Sequence, residues 1–300
     1  MSQHSRRIAL APIALFTFKR PFHTRRTLEA LTRNVEFAES PLFIYCDGAR
    51  NEADEEQVEK TRQLVHDWPH PNKTVIEREL NCGLANSIIV GVTEICRRFG
   101  RVVVVEDDIL TASNFLAYMN QALNFYQDNP KIWAISGFSY PMKSLRNLEH
   151  DATFGFRASS WGWASWGDRW DKVDWEVTDY ADFMKDRDAR ARFKLGGSDL
   201  CRMLRGQMRG KINSWAIRFC YAQFRNEMYD VFPKVSKTIS IGFDIGATHT
   251  TGQSRRFQTT IDDGQQRLFS FPSNVKVDNV ISREFASKFS LLNILKHKFF

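Results

Sequence analysis

The run Val102-Val103-Val104-Val105-Glu106-Asp107-Asp108-Ile109 constrains the fold more than any other feature of the sequence. Four consecutive β-branched residues without polar alternation read as a short strand buried on both faces, the kind found inside a mostly parallel sheet. Such sheets bind ligands in the crevice beyond the carboxyl ends of their strands, which is where the apolar run gives way to Glu106, Asp107 and Asp108. Adjacent carboxylates repel one another and resist desolvation. A divalent cation that also holds phosphate oxygens relieves both penalties. The run therefore predicts a metal and nucleotide site. The alternative use of the same acids is as an N-cap for a helix starting near Asn114.

Strand and helix patterns alternate around this run. Strands are expected over residues 13–18, 41–47 and 74–79, and helices over 23–34, 52–68 and 84–99. After the acidic strand come a helix over 114–129 and a strand over 132–136. That alternation predicts an α/β protein with a mixed, mostly parallel sheet flanked by helices. The second half is less regular, with an aromatic cluster followed by helices over 180–193, 199–210 and 215–226. No internal repeat interrupts the chain.

Three hundred residues with 43% hydrophobic content can bury one large core. The five cysteines form an odd set with no Cys-x-x-Cys pair, which argues against a disulfide framework or structural zinc and for a reducing compartment. A net charge of +7 invites an anionic partner: a nucleotide diphosphate, nucleic acid or an acidic membrane surface. Lys and Arg read as dispersed, and no nucleic-acid-binding module is present, so nucleic acid is set aside. Arg6 and Arg7 precede an apolar stretch, yet Pro12 interrupts it and no small-residue cleavage site follows; it reads as the first strand, not a secretory leader. No run reaches the roughly 18 apolar residues that a membrane span needs. These features suggest a cytoplasmic protein, soluble or held peripherally at the inner membrane face. At the end of the chain, Phe285, Phe289, Leu292, Leu295 and Phe299 recur at helical spacing among Lys288, Lys296 and Lys298. This amphipathic basic tail, residues 281–300, could lie on an anionic membrane surface or pack on the domain.

Residues 81–138 resemble the nucleotide-sugar half of the α-mannoside β-1,2-N-acetylglucosaminyltransferase family and related bacterial enzymes of the glycosyltransferase-A fold. The likeness rests on the Val-Val-Val-Glu-Asp-Asp strand end, the aromatic-bearing helix after it, and the Pro130-Lys131-Ile132-Trp133 turn. It is weaker over residues 8–47 and 154–249 and absent beyond. The resemblance implies a glycosyltransferase-A-type catalytic domain over residues 1–280, with a nucleotide-sugar half (8–138) and an acceptor half (139–280). It also implies metal-dependent, inverting transfer of a hexose or N-acetylhexosamine from a UDP-sugar to a glycan or lipid-linked saccharide of surface-polysaccharide synthesis, with Mn²⁺ (or Mg²⁺) as the cation.

Position by position, the resemblance makes Asp108 a metal ligand and places Glu106 and Asp107 on the donor's sugar and ribose. Asp47 matches an aspartate that would accept from a uracil imide, although an Asx-turn would use it equally well. Arg20, or Lys19 beside it, would pair with phosphate. The segment from Phe156 to Trp166 holds three tryptophans, and aromatic faces stack on the C–H surfaces of sugars. Within it Arg157 and Trp163 are the donor candidates, Trp163 through a Gly-Trp pair like the family's loop. His249 follows a Gly-rich turn and is a candidate for the metal or diphosphate. The chain departs from the family at the catalytic base. The matching segment, placed by Pro233-Lys234-Val235-Ser236, is Ser214-Trp215-Ala216-Ile217-Arg218 and carries no carboxylate. Asp199, in a Gly-rich loop entering a helix, is the substitute, with an N-cap as its other use. The missing base leaves a non-catalytic nucleotide-sugar binder open, and strand-end carboxylates also serve nucleotidyltransferases.

Overall fold

The computed structural model describes residues 10–242 and 258–290. Its first half follows the expected alternation: β1 (Ile13–Thr17), α1 (Pro21–Thr32), β2 (Leu42–Cys46), α2 (Glu52–Asp67), β3 (Lys73–Glu77), α3 (Leu84–Phe99) and β4 (Arg101–Glu106). Then come the short β5 (Ile109–Thr111), α4 (Phe115–Phe125) and β6 (Ile132–Ser136). The second half adds β7 (Ala152–Gly155), β8 (Trp163–Trp166), α5 (Gly167–Trp170), α6 (Tyr180–Lys185), α7 (Arg187–Phe193), α8 (Leu200–Met208), α9 (Trp215–Arg225), β9 (Tyr229–Pro233), β10 (Thr238–Ser240) and α10 (Asn279–Ser287). The helix expected over 180–193 is two helices. Asp186 stands between them and accepts from the Ala189 amide at 2.9 Å, so the chain stops one helix and caps the next.

Eight strands form one sheet in the order β3-β2-β1-β4-β8-β6-β9-β7. Strands β1 to β4 pair in parallel, as do β6 and β9, while β8 and β7 run against their neighbours. The sheet is thus mixed and mostly parallel, as the sequence led us to expect. The chain leaves β1 toward β2 and β3, then crosses back through α3 to lay β4 on the other side of β1. That reversal opens a crevice at the carboxyl ends of β1 and β4.

Side chains alternate across the sheet, and both faces are covered. Ile13, Leu15, Leu42, Ile44, Val103 and Val105 meet α1, α2 and α4, including Leu28, Leu31, Val65 and Leu123. Their neighbours Ala14, Phe16, Phe43, Tyr45, Val102 and Val104 meet α3, α5 and α9 through Ile88, Val92, Trp170 and Phe219. All four valines of β4 are fully buried, each contributing about 1.5–3 kcal/mol of gross burial free energy. This placement is why the run carries no polar alternation.

The tail does not extend its aromatics outward where it is described. Ile281, Phe285 and Phe289 are buried against Phe138, Tyr140, Leu145 and Phe232. Glu284 accepts from the Lys143 and Ser144 amides at 2.9 Å each, which staples α10 to the turn below it. Of the two uses the amphipathic pattern allowed, packing on the domain is the one taken by Phe285 and Phe289. Residues 291–300 lie outside the described residues. Among the described residues, no helix is long and apolar enough to cross a membrane, and all five cysteines are unpaired.

Candidate functional site

A cavity of about 670 Å³ occupies the crevice between the ends of β1 and β4. One wall comes from the strand ends: Phe18 and Arg20 after β1, Asp47 and Arg50 after β2, and Glu106 closing β4 with Asp107 and Asp108 after it. The facing wall is the loop between α8 and α9, with Lys211, Ile212, Asn213 and Ser214. Trp161 and Ser160 close a third side. A larger depression, about 1010 Å³, lies at the opposite edge of the sheet around Leu10, Gly100 and Arg169. Its Asp168 is spent on Arg169 at 2.7 Å, and it holds no acidic cluster comparable to the triplet.

The triplet is the most electrostatically loaded part of the cavity. Burial pushes the Glu106 carboxyl well above its ordinary range, and the charges of Asp108 and Asp107 push it further. Asp107 is pushed up to about 7 by burial and by Asp108, against the pull of Arg20 and a hydrogen bond from the Phe18 amide at 3.3 Å. Asp108 is also raised by burial, while Arg20 and His23 pull it down. The Arg20 Nη1 donates to Asp108 Oδ2 at 3.1 Å. Lys19, the other candidate beside it, is instead paired with Asp54 on α2. Three neighbouring carboxyls with one arginine between them leave a deficit of positive charge.

The described chain returns to this point through β10, which pairs antiparallel with β5. The Ile241 amide donates to the Asp108 carbonyl at 2.8 Å, so Gly242 lies directly on the Asp108 side chain. An added Cβ at Gly242 would collide with the Asp108 carboxylate and come within 3.2 Å of Arg20 Nη1. Only a glycine fits against the Asp108 carboxylate there without displacing it, and the Asp108 side chain stays 21% exposed. His249 lies outside the described residues.

Asp47 reaches the cavity, but both carboxylate oxygens serve the backbone. Oδ1 accepts from the Gly48 and Cys82 amides at 3.1 and 2.8 Å, and Oδ2 from the Gly83 amide at 3.0 Å. It holds the loop that starts α3, an extended form of the turn role foreseen as its alternative.

Three other expectations are corrected. Trp163 is 1% exposed and stacks between Trp170 and Trp215 at 5.8 and 4.8 Å, so it is core and does not line this cavity. The start of β8 explains this. β8 runs antiparallel to β4 with Val104 opposite Trp163, so Trp163 shares the face of Val104 toward α3 and α9, whereas Trp161 lies before the strand, beyond Gly162 with its left-handed φ of 70°, and packs with the opposite core cluster at the cavity edge. Asp199 and Arg157 also fail to line the cavity. They bind each other in a two-pronged pair, at 2.8 and 3.2 Å, and the Arg157 guanidinium lies 4.0 Å from the Phe289 ring centre. Burial alone would lower the affinity of Arg157 for its proton, but Asp199 outweighs it and the pKa is raised. A carboxylate so paired, outside the cavity lining, serves as the counter-ion of a buried arginine.

Sequence reasoning missed most of the wall opposite the triplet. Lys211 and Asn213 carry no motif, and Ser214 was noted only for the carboxylate it lacks. The signal that could have found them is Ser214 before the apolar helix of Trp215, an N-cap whose Oγ accepts from the Ile217 amide at 3.3 Å. The N-terminus of α9 borders the cavity as a result, and so does that of α3 through Leu84, Ala85 and Ser87. Two helix amino ends present positive potential to one space, which suits an anion. The Ser87 Oγ is buried there with no hydrogen-bond partner among the described residues.

Among the described residues, no three His, Cys, Asp or Glu side chains converge on a single point. The donor set therefore fits a hard cation that takes one or two protein carboxylates and completes its shell with phosphate and water, and does not fit an all-protein cage. Asp108, which lines the cavity beside Gly242, is the residue such an ion would meet.

No family model matches the sequence, and no curated protein matches it. Among solved structures the chain is similar to a mannosyltransferase from Pyrobaculum calidifontis in complex with GDP-Man and Mn²⁺, with 14% identity over 53% of this chain and 47% of that one and a TM-score of 0.38. It is also similar to GalNAc-T7 with UDP, GalNAc and Mn²⁺, with 10% identity over 75% of this chain and 43% of that one and a TM-score of 0.43. The chain spans less than half the length of either.

Proposed function

We propose that this chain is a divalent-cation-dependent glycosyltransferase that takes a hexose or N-acetylhexosamine from a UDP-sugar and passes it to a glycan or lipid-linked saccharide of surface-polysaccharide synthesis. The observation that carries this reading is the buried acidic triplet at the strand crossover. It faces two helix amino ends across one cavity, a combination that suits a cation and a diphosphate together. Asp108 would hold Mn²⁺ or Mg²⁺, which when bound offsets the charge that develops on the leaving diphosphate. Arg20, now paired with Asp108, stands where it can turn to a phosphate oxygen. Asp107 and Glu106, side by side at the end of β4, offer hydrogen bonds to ribose and sugar hydroxyls. Trp161 supplies an aromatic surface at the mouth. A cytoplasmic location at the inner membrane face belongs to the same reading and rests on the acceptor class.

Release of UDP from UDP-sugars in Mn²⁺, abolished by EDTA, is the expected result. Absence of both UDP binding in Mn²⁺ and UDP release would overturn the proposal. One observation favours a second reading, a nucleotide-sugar binder without turnover: with Asp199 committed to Arg157, no described residue of the wall between α8 and α9 that lines the cavity is a carboxylate. UDP binding without release across a donor and acceptor panel would establish it. We keep inversion as the stereochemical course, and the anomeric configuration of the product by NMR tests it.

A further inference from the structure

The positive charge of the chain is not dispersed, as its overall pattern suggested. Residues 187–211 hold eight Lys or Arg against Asp188 and Asp199, a surplus of six in a chain whose net charge is +7. Asp199 is neutralised from outside the segment by Arg157. On α8, Leu200, Cys201 and Leu204 are buried against α7 and α9, while Arg202, Arg205 and the following Arg209 are exposed at spacings of three and four, one face of the helix. Among the described residues, none of these three arginines nor Lys211 is in an ion pair. Two exposed apolar side chains bracket α8 in the sequence: Leu195, 47% exposed, before it, and Ile212, 39% exposed, after it. Ile212 lies against the helix at Gly206, where an added Cβ would stand 3.6 Å from its Cγ1. The loop that carries Lys211 and Ile212 is also a wall of the cavity.

We infer that this face, from α7 through α8 to Ile212, docks on a lipid surface carrying acidic headgroups, and that the cavity mouth thereby meets the bilayer. Unpaired arginines on one helix face supply attraction to anionic lipid, each adding to the partition. Leu195 and Ile212 supply the apolar contact that distinguishes a bilayer from a soluble polyanion. The seat differs from the one expected of the tail, whose Phe285 and Phe289 are buried in the domain. It rests on charge and exposure alone, so it stands or falls separately from the donor chemistry.

The test is co-sedimentation of the full chain with vesicles of phosphatidylglycerol and phosphatidylcholine, and with phosphatidylcholine alone. The wild type should bind the anionic vesicles only, and less well as salt rises. The triple variant Arg202→Gln/Arg205→Gln/Arg209→Gln should bind at least about tenfold more weakly. Leu195→Ser should weaken vesicle binding while leaving retention on immobilised polyphosphate unchanged. Lys296→Gln/Lys298→Gln in the tail should leave vesicle binding as in the wild type. Melting temperature and UDP binding in Mn²⁺, measured on each variant, report folding and the donor site independently. Wild-type failure to sediment, full binding by a folded triple variant, loss of binding with the tail variant alone, or equal loss of vesicle and polyphosphate binding in Leu195→Ser would each overturn the inference.

Discussion

The acidic triplet in the cavity and the Asp199–Arg157 pair outside it handle charge in opposite ways. At the end of β4, three carboxyls crowd together with Arg20 and His23 among the described residues against them, and burial raises the proton affinity of each. At the start of α8, outside the cavity lining, Asp199 and Arg157 match charge for charge, with two hydrogen bonds and Phe289 stacked over the guanidinium. A site awaiting a ligand leaves its charges unresolved, whereas a structural pair resolves them within the protein. The contrast separates the acidic triplet, on which the sequence reading rests, from Asp199, its substitute for an absent base.

Removing one partner of the resolved pair should have the largest effect. Asp199→Ala leaves Arg157 buried without its counter-charge, and chemical denaturation should show a loss of about 3–5 kcal/mol. Unchanged stability with lost activity would instead return Asp199 to the catalytic machinery. Asp108→Asn, in the unresolved cluster, should behave in the reverse manner. Titration calorimetry should find UDP binding in Mn²⁺ weakened by about 10²-fold or more, with the melting temperature of the unliganded protein preserved or raised. Retained affinity would move the cation elsewhere.

Asp230 gives the smallest and most specific test, because it is an unresolved charge outside the cavity. It is fully buried on β9, accepts from Ser136, and its Oδ1 has no hydrogen-bond partner among the described residues. Burial raises its pKa well above the usual range, against the hydrogen bonds from Ser136 and the Ser159 amide. A raised carboxyl pKa contributes stability that is complete below the unfolded value of about 3.9 and is lost as pH rises toward the folded value. The melting temperature of the wild type should therefore fall relative to Asp230→Asn from about pH 4 upward. Parallel curves would show that Asp230 does not govern this region.

The parallel half of the fold was legible because each element announces itself locally. β1, β2 and β4 are apolar runs, and α1 to α4 show helical spacing between them. Strands β7 to β10 were not legible. They are three to five residues long and pair with distant partners, as Thr238 does with Thr111, so no local period marks them. The same distinction holds within the site. Glu106, Asp107 and Asp108 are neighbours in sequence, and their strand delivers them together. Choosing between Trp161 and Trp163 required knowing that β8 begins only after Gly162, whose left-handed φ of 70° sends Trp161 to the cavity edge and leaves Trp163 in the core beside α9. Choosing between Arg20 and Lys19 required the position of Asp54 on α2.

By itself, the sequence determined that a fully buried strand would carry an acidic cluster to the carboxyl edge of an α/β sheet, because hydrophobic period and strand length are properties of consecutive residues. Only the tertiary structure decided which charges are spent. Arg157 meets Asp199 across 42 residues, Asp47 holds backbone amides 35 and 36 residues away, and Gly242 closes on Asp108 from the far end of the fold. Whether a carboxylate is free for a ligand depends on partners that chain folding brings near, and Coulomb and hydrogen-bond energies act over ångströms of space, whatever the separation along the sequence.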